Sequence, residues 1–179
     1  LSISVALSDI GAHAGMVSEK YLTALNYSSY KFIHGRRSII TGELLEKNIR
    51  NNRTGYSSIH EKKLIEAIKL GNMEEIKEII TEILDEISQQ KYNHILLSIM
   101  NLVNTIENTL AEINQRRVQQ LAIDFSVLNN EIWEFDSMEE FKTQLLKLLE
   151  DGMELGNIAV DERHKILIEE IHEIVYANY

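Results

Sequence analysis

The chain has 179 residues, 44% hydrophobic and 26% charged, the balance of an ordinary globular protein with one domain or two small ones and a sizeable core. Cysteine is absent, which excludes a disulfide framework, a thiolate nucleophile and Cys-ligated zinc or iron–sulfur sites, and fits a reducing cytoplasm. The net charge of -10 is uneven, +3 over residues 1–60, -4 over 61–130 and -9 over 131–179, so the whole chain is a poor ligand for phosphate backbones, which clustered Lys and Arg bind.

No window approaches the roughly 18 consecutive apolar residues of a membrane span, and the opening LSISVALSDIGAH lacks the basic flank and long apolar run of a secretory signal. Proline is also absent, so nothing forces a helix to end by removing a backbone donor. Long helices are the default. The exception is the start, where Ser2 to Ser8 alternates small polar and apolar residues with the period of a half-buried strand. Asp9 to Gly15 reads as a loop. Met16 to His34 carries Val17, Tyr21, Ala24, Leu25, Tyr27 and Ser28 at helical spacing, with Gly35 placed to end that helix. Ser38 to Thr41 is a second short strand.

Helices are expected from there on. Glu43 to Asn52 is one, closed by the run from Asn51 to Gly55. Ser57 or Ser58 caps the next, with Glu61 completing a capping box on Ser58, and Gly71-Asn72 ends it. Met73 to Gln90 places Ile76, Ile80, Ile83 and Ile87 on one stripe, with Glu74 and Glu75 in the first turn, where carboxylates suit the helix dipole. Tyr92 to about Arg117 repeats the device with Ile95, Ile99, Leu102, Ile106, Leu110 and Ile113, and continues toward Asp124. Ser126 to Trp133 is a short helix. Ser137 opens another, running to about Leu155, with Phe141, Leu145, Leu148 and Leu149 inward. Asp161 or a neighbour starts the last, with Ile168, Ile171, Val175 and Tyr179 at helical intervals. Amphipathic helices joined by short loops bury their stripes against each other, which predicts an antiparallel bundle from about residue 56. The final helix runs to Asn178-Tyr179 without a cap or breaker, so the chain is expected to be a middle piece of a longer protein.

The segment SVALS, the helix with Tyr21, Ala24, Tyr30-Lys31-Phe32 and Gly35, and the strand at Ser38-Ile39-Ile40 together resemble the C-terminal part of a degenerate GGDEF-like module. Leu64 to Asn72 resembles the opening of the helical linker that follows such a module in AraC-family transcriptional regulators. Ile171 to Tyr179 resembles the first helix of the AraC-type DNA-binding domain, whose family form ends in an Asn-Tyr pair. The chain departs from the pattern at Tyr27-Ser28, where the family usually has Ala-Leu, and no GG(D/E)EF sequence is present to support cyclase chemistry. Base-reading helices would lie beyond Tyr179.

Other constellations have plainer readings. Glu169-x-x-His172 has the spacing of a di-iron ligand pair, but such sites need a second copy, and Asp161-x-x-His164 is the nearest; a solvated face is the simpler account. His60-Glu61 lacks the second histidine of a metalloprotease motif. Arg36-Arg37 is a phosphate patch or, more simply, a surface turn, and Arg116-Arg117 a favourable charge at a helix C-terminus. The isoleucine stripes fill an internal core or a dimeric coiled coil; the runs are short, which favours the core. Trp133 with Phe135 and Phe141 lines a pocket or fills a helix junction. Ser4, Ser57 and Ser58 have no identifiable partner base.

The expected fold class is mainly α: an antiparallel helical bundle with a short N-terminal strand-helix-strand remnant. Residues 1–42 are expected to be the end of the GGDEF-like module, 43–160 a helical linker bundle, and 161–179 the start of the DNA-binding domain. What the resemblance implies is a non-catalytic, cytoplasmic relay region of a transcriptional regulator, with a free or a membrane-tethered parent both open. Catalytic, cofactor-binding, metal and DNA-binding residues are expected to be none in this piece, and cofactors none. Its expected partners are DNA through the parent's missing C-terminal domain and an upstream sensor or receiver domain, with a second copy as a further candidate and no direct membrane contact. The alternative is a helical domain that binds a small-molecule effector near Trp133; a di-metal bundle enzyme is a distant third.

Overall fold

A computed structural model of the chain describes residues 3–116, 125, 128 and 135–153. It is mainly helical. Strand β1 (Val5–Leu7) leads through a 3-10 turn at Ala14–Met16 into α1 (Val17–Ser28), α2 (Lys31–His34), strand β2 (Ile39–Thr41) and α3 (Glu46–Arg50). Three longer helices follow: α4 (Ser58–Leu70), α5 (Met73–Ser88) and α6 (Tyr92–Arg116). A further helix, α7, covers 138–153. Of the expected helix at 126–133 only Leu128 is described, helical and buried; the one at 161–179 and the continuation from Arg117 to Asp124 lie outside the described residues.

The two strands pair in parallel, Val5 with Ile39, Ala6 with Ile40 and Leu7 with Thr41. Ala6 and Ile40 turn inward, whereas Val5, Leu7 and Ile39 face out, 43%, 49% and 65% exposed. Strand β1 is shorter than the expected Ser2–Ser8.

Two expected helices are cut short, one by a long-range contact and one by a local turn. Met16–His34 breaks at Ser29-Tyr30, whose amides bond three residues back, to the carbonyls of Asn26 and Tyr27. The break turns Tyr30 into the core, where its hydroxyl accepts the Tyr92 N–H at 3.0 Å. Gly35, with φ of 74°, ends the second piece as expected. The helix expected from Glu43 starts only at Glu46, because Thr41 holds the preceding turn: its hydroxyl accepts the Leu44 N–H and its carbonyl the Leu45 N–H. Leu45 is thereby driven into the core.

The capping box expected on Ser58 is replaced by a shared arrangement. Ser57 is the N-cap, its hydroxyl accepting the Ile59 N–H at 3.2 Å. Its own N–H donates to Glu86 of α5 at 2.9 Å, and Glu61 accepts the Thr105 hydroxyl of α6 instead. Between α4 and α5 the local chemistry matches the expectation. Gly71 sits in the left-handed region at φ 71°, its N–H bonding the Ile68 carbonyl while Asn72 N–H bonds that of Ala67, so orphan carbonyls at the end of α4 are satisfied. Asn72 then caps α5, exchanging hydrogen bonds with Glu75.

The isoleucine stripes are spent internally. Ile76, Ile80, Ile83 and Ile87 of α5 meet Ile95, Ile99, Leu102 and Ile106 of α6 and Leu64 and Ile68 of α4 in one core. Helix α7 closes it with Phe141, Leu145 and Leu149, and Phe135 packs edge-on to Phe141 at 5.7 Å.

A Cβ at Gly71 would meet only the Met153 methyl, at an ordinary 3.6 Å, so the cost of Gly71→Ala is conformational. Urea unfolding should show a loss of about 1–2 kcal/mol, with the helical signal of the folded protein unchanged.

Candidate functional site

The most concentrated polar chemistry lies where the strand-bearing N-terminal part meets the long helices. Helix α5 ends at Ser88, and the carbonyls there have no partner within the helix. Side chains from α3 and the residue just after it supply the donors. Asn48 Nδ2 donates to the Ser88 carbonyl at 2.6 Å and to that of Gln90 at 3.0 Å, and Asn51 Nδ2 donates to Gln89 at 3.0 Å. Asn48 is buried in doing so.

A closed ring of hydrogen bonds sits beside it. Gly55 N–H donates to the Ser98 hydroxyl at 2.7 Å, Ser98 donates to Gln90 Oε1 at 2.7 Å, and Gln90 Nε2 returns to the Gly55 carbonyl. Gln90 and Ser98 are 2% and 0% exposed, so each polar atom must be matched within the protein. The ring clamps both peptide groups of Gly55, in the loop before α4, to the start of α6. Gly55 has φ of 84°, a conformation that suits glycine and lets both its peptide groups face the ring.

Around this ring the loop is held at further points. Lys91 reaches the Asn52 side chain, His94 Nδ1 lies 2.9 Å from the Arg53 carbonyl, and the Tyr56 hydroxyl donates to Thr105 at 3.3 Å. His60 packs between two carboxylates of α5, Nδ1 2.8 Å from Glu86 and Nε2 3.4 Å from Glu82. Burial pushes the Tyr56, Tyr30 and Tyr92 phenols above their ordinary range, so all three stay neutral hydrogen-bonding groups. A cleft of about 690 Å³ opens over the loop, lined by Asn51, Thr54, Tyr56, Ser57, Glu86 and Gln89.

A second set of ties joins α2 to the start of α7. Asp136 accepts from Lys31 at 3.3 Å and from Arg36, so Arg36 belongs to a surface turn with an acidic partner. Arg37 shapes that turn with φ of 65°.

His60 and Glu61, expected to lack metalloprotease spacing, are thus taken up by Glu86, Glu82 and Thr105. Ser57 is a cap, and Ser4 bonds the Gly35 carbonyl. Trp133, Asp161, His164, Glu169 and His172 lie outside the described residues, as does Arg117. Among the described residues no group of three His, Asp or Glu is arranged to hold a metal ion, and no helix is long and apolar enough to cross a membrane. Sequence reasoning passed over Asn48, Gln90 and Ser98. The available signal was strongest at Ser98, a lone polar residue within the apolar run Ile95-Leu96-Leu97-Ser98-Ile99; Asn48, which follows Glu46 and Lys47, gave little.

Replacing Asn48 with Ala should leave buried carbonyls without donors and cost about 1–3 kcal/mol in urea unfolding. A second expectation concerns acid. Burial lowers the pKa of His34, so the unfolded chain binds this proton first as pH falls. The stability tied to neutral His34 is complete above its unfolded value near 6.5 and declines as pH drops below about that point. His34→Phe should flatten that part of a stability-versus-pH profile.

Comparisons with protein-family models, with curated proteins and with solved structures found no match to this chain.

Proposed function

We propose that the chain is a non-catalytic relay region of an AraC-family transcriptional regulator, acting in the cytoplasm. Residues 1–42 are then the end of a degenerate GGDEF-like module, 43–160 an antiparallel helical bundle, and 161–179 the beginning of the DNA-binding domain. DNA contact belongs to helices beyond this piece, and the input to a sensor or receiver domain before it.

The observation that carries this reading is the bare outer face of the parallel strand pair. Parallel strands are normally covered on both faces, and a two-stranded sheet is marginal alone. Yet Val5, Leu7 and Ile39 turn outward beside Ile3 at 68% exposed. Such a face is what the end of a larger α/β module presents when the rest of it is removed. The bundle reading draws support from the tight Gly71-Asn72 turn together with the Ser57 and His60 contacts to Glu86, which bring the start of α4 beside the end of α5.

Relay requires that a shift of the strand-bearing part be felt by the helices. Tyr30 and the Lys31–Asp136–Arg36 cluster supply the mechanical links, since each joins residues 1–42 to α6 or the start of α7, while Asn48 seats α3, which follows β2, on the end of α5. In a parent protein with its input and DNA-binding domains, Asp136→Lys sets a cation against Lys31 and Arg36. DNA affinity should then lose its dependence on the input state, a coupling of about 5–150-fold in typical allosteric proteins. An input response identical to that of the unaltered parent contradicts the reading. So does a native coding sequence with no helix-turn-helix after residue 179.

A further inference from the structure

Helices α4, α5 and α6 present outer faces of different character. Every exposed residue of α5 is acidic: Glu74, Glu75, Glu78, Glu82 and Asp85. Helix α4 exposes Lys62, Lys63, Glu66 and Lys69. Helix α6 does neither. From Asn93 to Asn108 its exposed residues are Asn93, Leu97, Met100, Asn101, Asn104 and Asn108, and none is charged. Steps of three and four residues place them on one stripe, on the side of the helix away from Ile95, Ile99, Leu102 and Ile106. Leu97 and Met100 are 54% and 43% exposed at its centre.

We propose that this stripe is the docking surface for a second copy of the chain, α6 against α6 about a two-fold axis parallel to the helices. A two-fold contact brings the same patch together from both copies. For a chain of net charge -10 that is a severe restriction, because the outer face of α5 would set carboxylates against carboxylates. The α6 stripe meets the restriction. A carboxamide carries donors and an acceptor, so an asparagine facing its own copy is satisfied by it. Leu97 and Met100 likewise meet their own copies as apolar pairs. An antiparallel approach would set Leu97 against Asn104, an apolar group against an amide, so the parallel arrangement is favoured. Depletion of charge is also what distinguishes the centre of an interface, and buried asparagines fix the register of paired helices.

The stripe is about 24 Å long at the helical rise, and one such seam buries less than the roughly 800 Å² per partner of a standard interface. The dimer is therefore weak and reversible, with dissociation in about the micromolar range. This inference does not rest on the regulatory reading. Self-association through α6 stands or falls whatever precedes or follows the chain.

The absence of cysteine makes the test direct, since a single introduced thiol is the sole cross-linking site. Under mild oxidation of the whole 179-residue chain, Asn104→Cys should give a disulfide-linked dimer, whereas Glu78→Cys on α5 should not. Sedimentation velocity on the unaltered chain should show concentration-dependent dimers. Leu97→Lys with Met100→Lys should weaken them by about tenfold or more, with circular dichroism confirming an unchanged fold. Val5→Lys with Ile39→Lys, on the bare sheet face, should leave them intact. A monomer up to about 100 μM, well above the expected dissociation constant, overturns the proposal. It is equally overturned by a dimer that survives the α6 double variant, a dimer lost with the sheet-face variant, or equal cross-linking at both cysteine positions.

Discussion

The C-terminal end of α5 packs against other elements, and the chain turns inward from exposed Gln89 to buried Gln90, so the carbonyls there need donors from the protein. Asn48, about 40 residues earlier, supplies a donor to the buried Gln90 carbonyl and the partly buried Ser88 carbonyl, and Asn51 supplies one to the Gln89 carbonyl at the exposed rim. That one requirement fixes where α3 lies, and α3 follows β2 after a turn held by Thr41. The strand pair, and with it α1, inherits its position from the end of α5. The isoleucine core supplies most of the drive to collapse, but apolar attraction is non-directional and tolerates many arrangements. The amide contacts select one.

The Gly55–Ser98–Gln90 ring repeats the logic one step along. Each of its members has a donor or acceptor that would be costly to bury alone, and together they leave none unmatched. A loop that might have been a loose connector between α3 and α4 is instead seated on α6. Exposed ion pairs around it, such as Lys31 and Arg36 with Asp136, add little to stability but orient the surfaces they join. The polar, directional contacts of the seam are what set the strand-bearing part against the helices.

Much of the helical architecture was legible in the sequence because its signals are local. Gly71-Asn72 both ends one helix and starts the next, and Ile76, Ile80, Ile83 and Ile87 mark a face by spacing alone. Gly35 stopped α2 where its lack of a Cβ permits positive φ. What was not legible was decided across long stretches of chain. The break at Ser29-Tyr30 goes with the contact to Tyr92, and the seating of the α4 cap with Glu86. The seam escaped notice for the same reason. Asn48, Gln90 and Ser98 look like stray polar residues until the fold brings them to one another and to the carbonyls they satisfy.

Native-state hydrogen exchange tests most directly whether the strand-bearing part and the helices are one body. The amides of Gly55 and Tyr92 are bound only by side chains from the seam, to Ser98 and Tyr30. If the seam holds the parts together, these two amides exchange with the same free energy of opening as the core amides of α5, such as Ile83. If they exchange far faster while Ile83 stays protected, the seam opens independently and the account is wrong.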